Sequence, residues 1–559
     1  MRGGGGGRRE GGSPQRHKGH RGSEKNLSLD RHTFTISNWQ NGRESIGVRS
    51  FQNHEKDLFT VSDSMRSAAV NMEHPVKSRS AIVALALMAS VGVLVILLFP
   101  GSPEQDTDYH FLMARTVWVD PSYLVNVWAR PLFTTLFAPV ALLGYTAARL
   151  FALAISLVVA WQTCRLARDL ELPRPWLVIP ILLGQPAFFE LFTELFTETV
   201  FALVFVLAVR CHLSGRTKAG MLMASLLPLA RPEGAFLCIL WGGLVLVQTG
   251  SASDYMPLSR RVISRIPSAL VLASGVVIWW LAALVITKDP LFILHNWPAT
   301  WRKEMYGHGT FFSYAERASE FVGGLFIVPC VVGLFYQWRS SRWVLMTFSF
   351  LLFFLLHSIF RKFGLFGEAG YPRYMVSVAP ATAVLTLQGW NLFCLIRVPR
   401  VILSAAGCVV LILSFVTSFL YIDAMTWARD AVAIDDMADW LTQHPKSLSG
   451  LIWSNGRMCT DLGRNLLDSP PITGREGLVK RLEAAPSGTI VFWDDHIGPD
   501  WFGLTAADIE KKGFNLLISR QYLVHAVLYP DSGFDRFPWL PYLGEFRPRR
   551  IQLSLLEKP

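Results

Sequence analysis

Two carboxylates and a histidine lie close together where the first long apolar run of the chain ends. Asp106, Asp108 and His110 fall within the segment PEQDTDYHFLMARTVW. A pair of carboxylates just outside such a run can act as a general base, or can hold a divalent cation such as Mg²⁺ or Mn²⁺ through hard oxygen ligands. The alternative interpretation is a solvated loop that caps a helix, because Asp and Thr favour that position. No other cofactor is indicated.

A second group of carboxylates lies in the segment FFELFTELFTETVFAL. Glu190, Glu194 and Glu198 follow one another at four-residue spacing, with Thr193 and Thr197 beside them. At that spacing the side chains share one face of a helix. Unpaired carboxylates repel one another and are costly to bury, so they must face water, cations or a polar cavity. A helix end exposed to solvent is the alternative interpretation.

Arginines recur where apolar stretches are interrupted. Arg231 and Glu233 flank Pro232 in LARPEGAF, and a proline breaks a helix where the backbone can line a cavity. Guanidinium groups bind phosphate oxygens through paired hydrogen bonds, so these cations are candidate ligands of an anion. A structural Arg–Glu pair and anionic lipid headgroups are the alternative explanations. The basic candidates and one aromatic neighbour are Arg130, Arg231, Arg361, Lys362, Arg373 and Tyr374.

Long apolar segments must position these polar groups. Of the 559 residues, 51% are hydrophobic and only 17% are charged, whereas a soluble domain carries about 25% charged residues. The apolar runs are long enough to cross a membrane as helices and lack the alternation of a β-barrel. We therefore predict a polytopic α-helical membrane protein with about ten or eleven spans. The predicted spans are 80–99, 131–163, 176–190, 195–212, 219–229, 235–249, 267–287, 321–337, 342–360, 373–396 and 400–421.

The charges between the spans predict the orientation of the chain. Lys77 and Arg79 precede the first span, and basic clusters then fall in alternate loops. Lys and Arg concentrate in cytoplasmic loops, so the formal net charge of +11 indicates membrane topology rather than nucleic-acid binding. An odd number of spans places the C-terminal part outside, on the side of the acidic segment. We expect a bacterial plasma membrane, because the outer part lacks a cysteine framework.

The composition changes at both ends of the apolar region. Residues 1–79, rich in Gly, Ser, Arg and Asn, are predicted to be a disordered basic tail, because they cannot bury enough apolar surface to fold. If the reading frame is over-extended, Met65 or Met72 is the alternative start. Residues 80–421 form the predicted transmembrane domain. Residues 422–559, where helical and strand patterns alternate, form a predicted small extracytoplasmic α/β domain.

Taken in order, these segments resemble the GT-C superfamily of membrane glycosyltransferases. DTDYH looks like the acidic motif of that superfamily's first outer loop, and NVWARPLF looks like the stretch that leads into the second span. FTETVFALVFVLAV followed by LARPEGAF is similar to the TE-then-RPEG sequence of mannosyltransferases, and YPRYMVSVAPA is similar to the late RY-then-Pro element. The resemblance covers residues 80–421 and implies a GT-C-like membrane domain. Asp106 and Asp108 both match the catalytic acid, and Glu194 and Glu198 both match the Thr-Glu motif.

The resemblance implies transfer of a sugar from a polyprenyl-phosphate donor to an acceptor hydroxyl at the outer membrane face. Asp106 or Asp108 would deprotonate the acceptor and would hold any divalent cation. Cationic residues would stabilise the lipid phosphate that leaves. The acceptor is a protein, a lipid or a glycan, and the residues do not specify the sugar. The implied substrate-binding residues are His110, Arg130, Glu194, Glu198, Arg231, Glu233, Arg361, Lys362, Arg373 and Tyr374.

A transporter or flippase of a lipid-linked or anionic solute is the alternative function. Broken helices and intramembrane charges also mark transport sites. We favour the transferase, because the two halves of the chain show no internal repeat and the acidic segment lies outside the predicted spans. A membrane scaffold is a third interpretation, but it leaves the outer charges without a role.

Overall fold

The computed structural model of the chain describes residues 76–99, 101, 105–247, 258–298, 301, 307–338, 340–395, 399–426, 429–444, 450–470, 474–495, 497–525 and 548–559. The predicted basic tail therefore lies outside the described residues, except for its last four positions. Those positions begin the first helix at Val76. His496, which the sequence places in a turn after the WDD of a strand, also lies outside them.

Helices make up the apolar region. From the N-terminus to residue 247 they are α1 (Val76–Leu98), α2 (Gln105–Thr116), α3 (Pro131–Ala141), α4 (Tyr145–Asp169), α5 (Val178–Leu183), α6 (Pro186–Leu191), α7 (Thr197–Leu213), α8 (Thr217–Ala224), α9 (Leu227–Ala230) and α10 (Gly234–Val247). The following helices are α11 (Leu258–Ala269), α12 (Ser274–Thr287), α13 (Phe292–His295), α14 (Ser313–Glu316), α15 (Ile327–Gln337), α16 (Val344–Phe363), α17 (Ala379–Phe393) and α18 (Arg400–Thr426).

Six helical segments among the described residues are long and apolar enough to cross a membrane. They are Arg79–Leu98, Tyr145–Asp169, Val262–Thr287, Ser319–Gln337, Val344–Phe363 and Val401–Tyr421. Shorter apolar helices are Pro131–Ala141, Thr217–Ala230 and Gly234–Val247. The protein is thus a multi-pass membrane protein, and its full-length helices are fewer than the predicted spans.

Several of the predicted spans are divided into shorter helices in the structure, and the divisions fall at particular residues. The predicted span 131–163 is two helices separated at Gly144, which has φ 100°. The predicted span 176–190 is divided where Pro186, which has no N–H group, begins α6. The predicted span 373–396 begins as the 3₁₀ helix Pro372–Val378 and continues as α17. Every residue of α6 is buried, and interrupted backbone is tolerated in a membrane where protein surrounds it.

The C-terminal part forms the predicted α/β domain. Its elements are α19 (Arg429–Gln443), β1 (Gly450–Trp453), α20 (Gly456–Asp461), α21 (Gly474–Ala484), β2 (Thr489–Asp494), α22 (Ile497–Phe502), α23 (Ala506–Glu510), β3 (Asn515–His525) and β4 (Pro548–Glu557). The strand order is β1-β2-β4-β3. The β1–β2 pair is parallel and is connected through α20 and α21, and the other pairs are antiparallel. The predicted boundary at 421/422 stays a prediction, because α18 continues to Thr426.

The two faces of this sheet pack against different partners. Along β2, Ile490 and Phe492 belong to the same core as the membrane helices, whereas Val491 and Trp493 belong to a second core with α21. Alternation is expected because successive strand residues point to opposite faces. One face of the sheet is therefore continuous with the hydrophobic core that holds α2 in place.

Candidate active site

The carboxylate of Asp106 is paired with an arginine from a distant part of the chain. Asp106 lies in the first turn of α2, and Arg373 lies in the 3₁₀ helix Pro372–Val378. The Nη2 of Arg373 donates to Oδ2 of Asp106 at 2.5 Å. The Arg373 side chain is buried, whereas 41% of the Asp106 side chain is exposed. Asp106 is thus the accessible end of an ion pair whose other end is held in the protein.

Arg373 continues into a row of alternating charges. Its Nε lies 3.7 Å from Oε1 of Glu198. The same oxygen of Glu198 lies 2.6 Å from Nη1 of Arg231. Nη2 of Arg231 donates to Oε1 of Glu233 at 2.9 Å. We call these five residues, Asp106, Arg373, Glu198, Arg231 and Glu233, the charge row. The fold therefore brings together candidates from four separate sequence motifs.

Local backbone structure explains where these side chains point. Glu198 occupies the first turn of α7, where the positive end of the helix dipole favours a carboxylate. Arg231 ends α9 in an extended conformation, and α10 begins at Gly234. A Cβ atom at Gly234 would lie 2.4 Å from the carbonyl carbon of Leu227. Only glycine therefore permits the tight turn that places Arg231 and Glu233 side by side.

Aromatic rings cover the buried guanidinium groups. The guanidinium carbon of Arg373 lies 4.4 Å from the ring centroid of Tyr371 and 4.8 Å from that of Phe196. The guanidinium carbon of Arg231 lies 4.9 Å from the ring centroid of Tyr374. Cation–π contacts of this kind fix the plane of a guanidinium group and leave its edge N–H groups for hydrogen bonds. Tyr374 therefore orients Arg231.

A buried histidine supports Tyr374 from behind. The ring of His357 stacks on that of Tyr374 with 5.2 Å between centroids, and its Nδ1 lies 2.8 Å from Oε2 of Glu368. The Tyr314 hydroxyl donates to the other Glu368 oxygen at 2.6 Å. Sequence reasoning missed this support, although a histidine inside the predicted span 342–360 is the kind of signal that marks it.

Arg130 is a buried cation whose contacts among the described residues include no carboxylate. It is 9% exposed. Its Nη1 donates to the carbonyl of Val127 at 2.7 Å, and its guanidinium carbon lies 4.5 Å from the ring centroid of Trp301. Its Nε has no hydrogen-bond partner within the described part of the chain. A buried cation without a counter-ion is costly, so this position favours an anionic ligand.

The backbone at Arg130 is held in an uncommon conformation. Its φ is 63°, a region that residues with a Cβ atom seldom adopt, and such strain persists where the surrounding structure fixes it. The Asn126 side chain accepts from the backbone N–H groups of Trp128 and Ala129 at 2.9 and 3.0 Å. Burial lowers the pKa of Arg130 to about 10, and the positive charge of Arg231 acts in the same direction. Arg130 is therefore within electrostatic range of the charge row.

His110 is placed for packing and not for proton transfer. Its Nδ1 lies 3.1 Å from the carbonyl oxygen of Leu195, and its ring stacks on Trp128 with 4.8 Å between centroids. Burial lowers the pKa of His110 to about 3, so the ring is neutral at physiological pH. His110 joins α2 to the turn that precedes Glu198.

Asp108 faces away from the charge row. It is 1% exposed, and the Thr460 hydroxyl in α20 and the positive charge of Arg457 both lower its pKa. Its Oδ1 has no hydrogen-bond partner among the described residues. Residues two positions apart on a helix lie on nearly opposite sides. Asp106 and Asp108 therefore have different partners, and the two aspartates are no longer equivalent candidates.

The different directions of Asp106 and Asp108 also decide whether the two carboxylates can bind one metal ion together. Asp106 is bonded to Arg373, and Asp108 is directed towards α20, so the two carboxylates do not converge on one point. Among the described residues there is no group of three His, Cys, Asp or Glu side chains arranged to hold a metal ion. Asp106 and Asp108 thus do not fit a shared Mg²⁺ or Mn²⁺ site in this arrangement.

Glu194 takes part in a different ion pair from Glu198. Nη2 of Arg149 donates to Oε1 of Glu194 at 2.7 Å, and both side chains are buried. Nη1 of Arg149 also donates to the carbonyl of Phe99 at 2.6 Å, at the end of α1. Arg149 was not among the predicted residues, although an arginine inside a predicted span is a recognisable signal. The structure thus separates the two Thr-Glu candidates.

Two basic candidates lie outside the charge row. Arg361, at the end of α16, is buried, and its Nη1 lies 3.4 Å from the carbonyl oxygen of Glu368. Its side chain lies against Gly309 and Gly370. Lys362 is exposed. Arg361 therefore lies beside the backbone segment that leads to Arg373. Lys362 lies at the surface.

Partial burial is the largest influence on the pKa of Asp106, although 41% of its side chain is exposed. It raises the pKa of Asp106 to about 6, and the negative charge of Glu198 acts in the same direction. Arg130 and Arg231 act in the opposite direction. A carboxylate with a pKa in this range can accept a proton at neutral pH, which is the property that a general base requires.

Comparisons with known proteins add evidence on the fold. No protein-family model matches the chain, and no curated protein matches it. The crystal structure of ArnT from Cupriavidus metallidurans in the apo state matches with a TM-score of 0.52 and 12% sequence identity, over 85% of this chain and 98% of that chain.

Two further structures are similar at lower scores. ArnT from the same organism bound to undecaprenyl phosphate gives a TM-score of 0.49 at 13% identity, over 84% of this chain and 97% of that chain. The oligosaccharyltransferase of Archaeoglobus fulgidus, tethered to an acceptor peptide, gives 0.41 at 12% identity, over 78% of this chain and 72% of that chain. ArnT, an aminoarabinose transferase, is a GT-C protein. The chain shares its fold with ArnT in the apo state over most of both chains, and the predicted GT-C fold is therefore confirmed.

Proposed function

We propose that this chain is a membrane glycosyltransferase that moves a sugar from a polyprenyl-phosphate donor to an acceptor hydroxyl. The observation that carries the proposal is the arrangement of Arg130 beside the charge row. Among the described residues, a buried guanidinium group that forms no ion pair with a carboxylate lies within electrostatic range of an accessible carboxylate. The first favours a phosphate, and the second is available to accept a proton. The fold shared with ArnT supports the same function.

In this mechanism Asp106 accepts the proton of the acceptor hydroxyl. The acceptor oxygen then forms a bond to the anomeric carbon of the donor sugar, while the bond from that carbon to the phosphate oxygen breaks. The bonding electron pair stays on the phosphate oxygen. The proton on Asp106 passes to solvent, which its exposed side chain can reach. A glycosyl group in transfer has oxocarbenium character, so the nearby carboxylates of the charge row also stabilise its positive charge.

The arginines accommodate the charge that develops on the leaving group. Among the described residues, Arg130 has no hydrogen-bond partner at Nε and no carboxylate in contact with its guanidinium group. Arg231 and Arg373 are already paired with Glu198 and Asp106, so they are oriented before the donor binds. Preorganised donors stabilise developing charge more effectively than mobile ones. The lipid tail would lie along the membrane helices, which accounts for an active site embedded in them.

The location of the reaction follows from the predicted orientation. We propose that the charge row and the C-terminal domain lie on the extracytoplasmic side of a bacterial plasma membrane. The support is the distribution of Lys and Arg between the spans. The acceptor class, whether protein, lipid or glycan, is left to the assay.

The function is tested by following label from a panel of polyprenyl-phosphate sugars into membrane acceptors. The full chain in proteoliposomes should transfer label, and Asp106→Asn should not. Glu316→Gln, which changes an exposed carboxylate in α14, is the matched control and should behave as wild type. Absence of transfer from every donor in the panel, with movement of a lipid-linked sugar across the bilayer, would replace the transferase by the alternative of a transporter.

A further inference from the structure

The short helix α20 of the C-terminal domain packs directly against α2. The rings of Tyr109 and Trp453 lie 5.3 Å apart between centroids. A Cβ atom built at Gly456 would lie 3.6 Å from the Cβ of Asp108 and equally close to the Tyr109 ring. The helix that carries Asp106 is therefore in van der Waals contact with the soluble domain along the side opposite the charge row.

Arg457 is the centre of this contact. It is 7% exposed, and its Nε lies 3.0 Å from Oδ1 of Asp435 and 3.1 Å from Oδ1 of Asp461. Its guanidinium carbon lies 5.2 Å from the ring centroid of Tyr145, at the start of α4. Asp108 adds a further negative charge on the side of α2. One guanidinium group thus joins α19, α20 and α4, and its charge acts on Asp108 of α2.

Charge and burial together make Arg457 difficult to replace by another residue. Burial alone would lower the pKa of Arg457, but Asp108 and Asp461 outweigh it and hold the pKa above the usual value. Burial raises the pKa of Asp108 to about 6, while Arg457 and the Thr460 hydroxyl lower it. Removing Arg457 would therefore leave Asp435 and Asp461 without their arginine and would take away a positive charge that acts on the buried Asp108.

The position of α2 determines the position of Asp106. α2 contains only 12 residues, so a rotation that moves Asp108 away from α20 also moves Asp106 relative to Arg373. Displacements of about 1 Å in a reacting group can cost about a hundredfold in rate. The two aspartates thus differ in surroundings, since Asp108 packs against α20 and Asp106 is partly exposed.

We propose that Arg457 is a positioning residue, which fixes α20 where it packs against Asp108 and Tyr109 of α2 (the clamp), so that the C-terminal domain sets the geometry of Asp106. The proposal rests on the proposed function of the charge row, but it makes Asp108 dispensable for chemistry provided that another link holds α2 to α20. The C-terminal domain is then part of the active site and not an appended module.

A disulfide can replace the clamp and so test it. The distance of 3.6 Å between Cβ positions at Asp108 and Gly456 matches that of natural disulfides, about 3.5–4.5 Å. Asp108→Cys and Gly456→Cys are combined in a background with Cys459→Ser, which removes the nearest native thiol. The oxidised protein should retain transfer within about threefold of the background protein, and reduction should lower kcat by about tenfold or more.

Each other outcome of this experiment overturns the proposal. Inactivity in both redox states would assign chemistry to Asp108. Equal activity in both states would mean that α2 needs no clamp. Failure of the two cysteines to cross-link under oxidation would mean that α20 does not lie against α2.

A second measurement needs no transfer activity and therefore separates this proposal from the proposed function. Hydrogen exchange of residues 105–116 is compared for wild type, Arg457→Met and Arg457→Lys. Arg457→Met should accelerate exchange in α2 by about tenfold and lower kcat while leaving the donor KM within about twofold. Arg457→Lys should recover part of both. Arg520→Met, which removes the half-exposed ion pair between Arg520 of β3 and Asp436 of α19, is the control and should change neither. Unchanged exchange in α2 of Arg457→Met would exclude the clamp.

Discussion

Asp106 and Arg373 are separated by 267 positions in the chain and form an ion pair of 2.5 Å between Oδ2 and Nη2. The pair joins α2 to the 3₁₀ helix before α17. Arg373 also approaches Glu198, so the carboxylate that faces solvent is connected to the buried charges behind it. Removal of either partner should therefore affect the site in a distinct way.

Asp106→Asn should abolish the proton-accepting step without disturbing the fold. Asparagine has the same shape and can accept a hydrogen bond from Arg373, but it cannot take up a proton. General base catalysis contributes about 10²–10⁴-fold, and we expect kcat for sugar transfer to fall by that amount. Transfer assays in proteoliposomes give the rate, and circular dichroism checks the helical content. Full activity of the variant would remove Asp106 from the mechanism.

The rate should depend on pH through the same carboxylate. Burial raises the pKa of Asp106 to about 6, and a base acts only in its deprotonated form. The value of kcat/KM should therefore rise with pH through a midpoint near 6 and level off about one pH unit above it. In Arg373→Gln the positive neighbour is lost, which disfavours the carboxylate, and the rise should move to higher pH by about one unit.

The control for this profile is Glu316→Gln, which should reproduce the wild-type midpoint. A midpoint that stays in place in Arg373→Gln, while the overall rate falls, would mean that Arg373 binds substrate without influencing Asp106.

Arg130 should contribute to donor binding more than Lys362 does. A hydrogen bond to a charged group contributes about 1.5–3 kcal/mol, so Arg130→Met should raise the donor KM by about ten- to a hundredfold. Lys362→Met changes an exposed lysine and should alter KM by less than about twofold. Initial rates over a range of donor concentrations distinguish the two variants. A larger effect at Lys362 would place the phosphate at the surface and not beside the charge row.

The architecture could be predicted from the sequence because the residue composition of a segment largely decides whether it forms a membrane helix. Runs of apolar residues and the alternating patterns after residue 422 correctly indicated the helical membrane region and the α/β domain. The number of long helices could not be predicted in the same way. Pro186 and Gly144 divide runs that are apolar throughout, and such breaks are stable only because neighbouring helices bury them.

In the candidate site, too, short motifs could be recognised in the sequence, whereas contacts between distant parts of the chain could not. Motifs identified Asp106, Glu198, Arg231, Glu233 and Arg373, and the structure places them in contact. The choice between Asp106 and Asp108 required the knowledge that residues 105–116 form a helix, which separates their directions. Arg457 had no signal in the sequence, because its partners Asp435 and Tyr145 come from distant elements.

Glu194 and Glu198 should respond differently to the same substitution, although both are buried and paired. Glu194→Gln removes the carboxylate that pairs with Arg149 and leaves it the backbone carbonyls of Phe99 and Ile96 as acceptors. Breaking a buried pair costs about 3–5 kcal/mol. In Glu198→Gln, Arg231 keeps Glu233 at 2.9 Å, so the loss of stability should be smaller.

The rate should show the opposite order, because Glu198 contacts Arg231 and Arg373, the proposed phosphate ligands. We therefore expect Glu194→Gln to lower the thermal midpoint in detergent more, and Glu198→Gln to lower kcat/KM more. If Glu194→Gln were the more damaging to transfer at equal stability, the site would have to include Arg149, and the assignment of the Thr-Glu motif to Glu198 would be wrong.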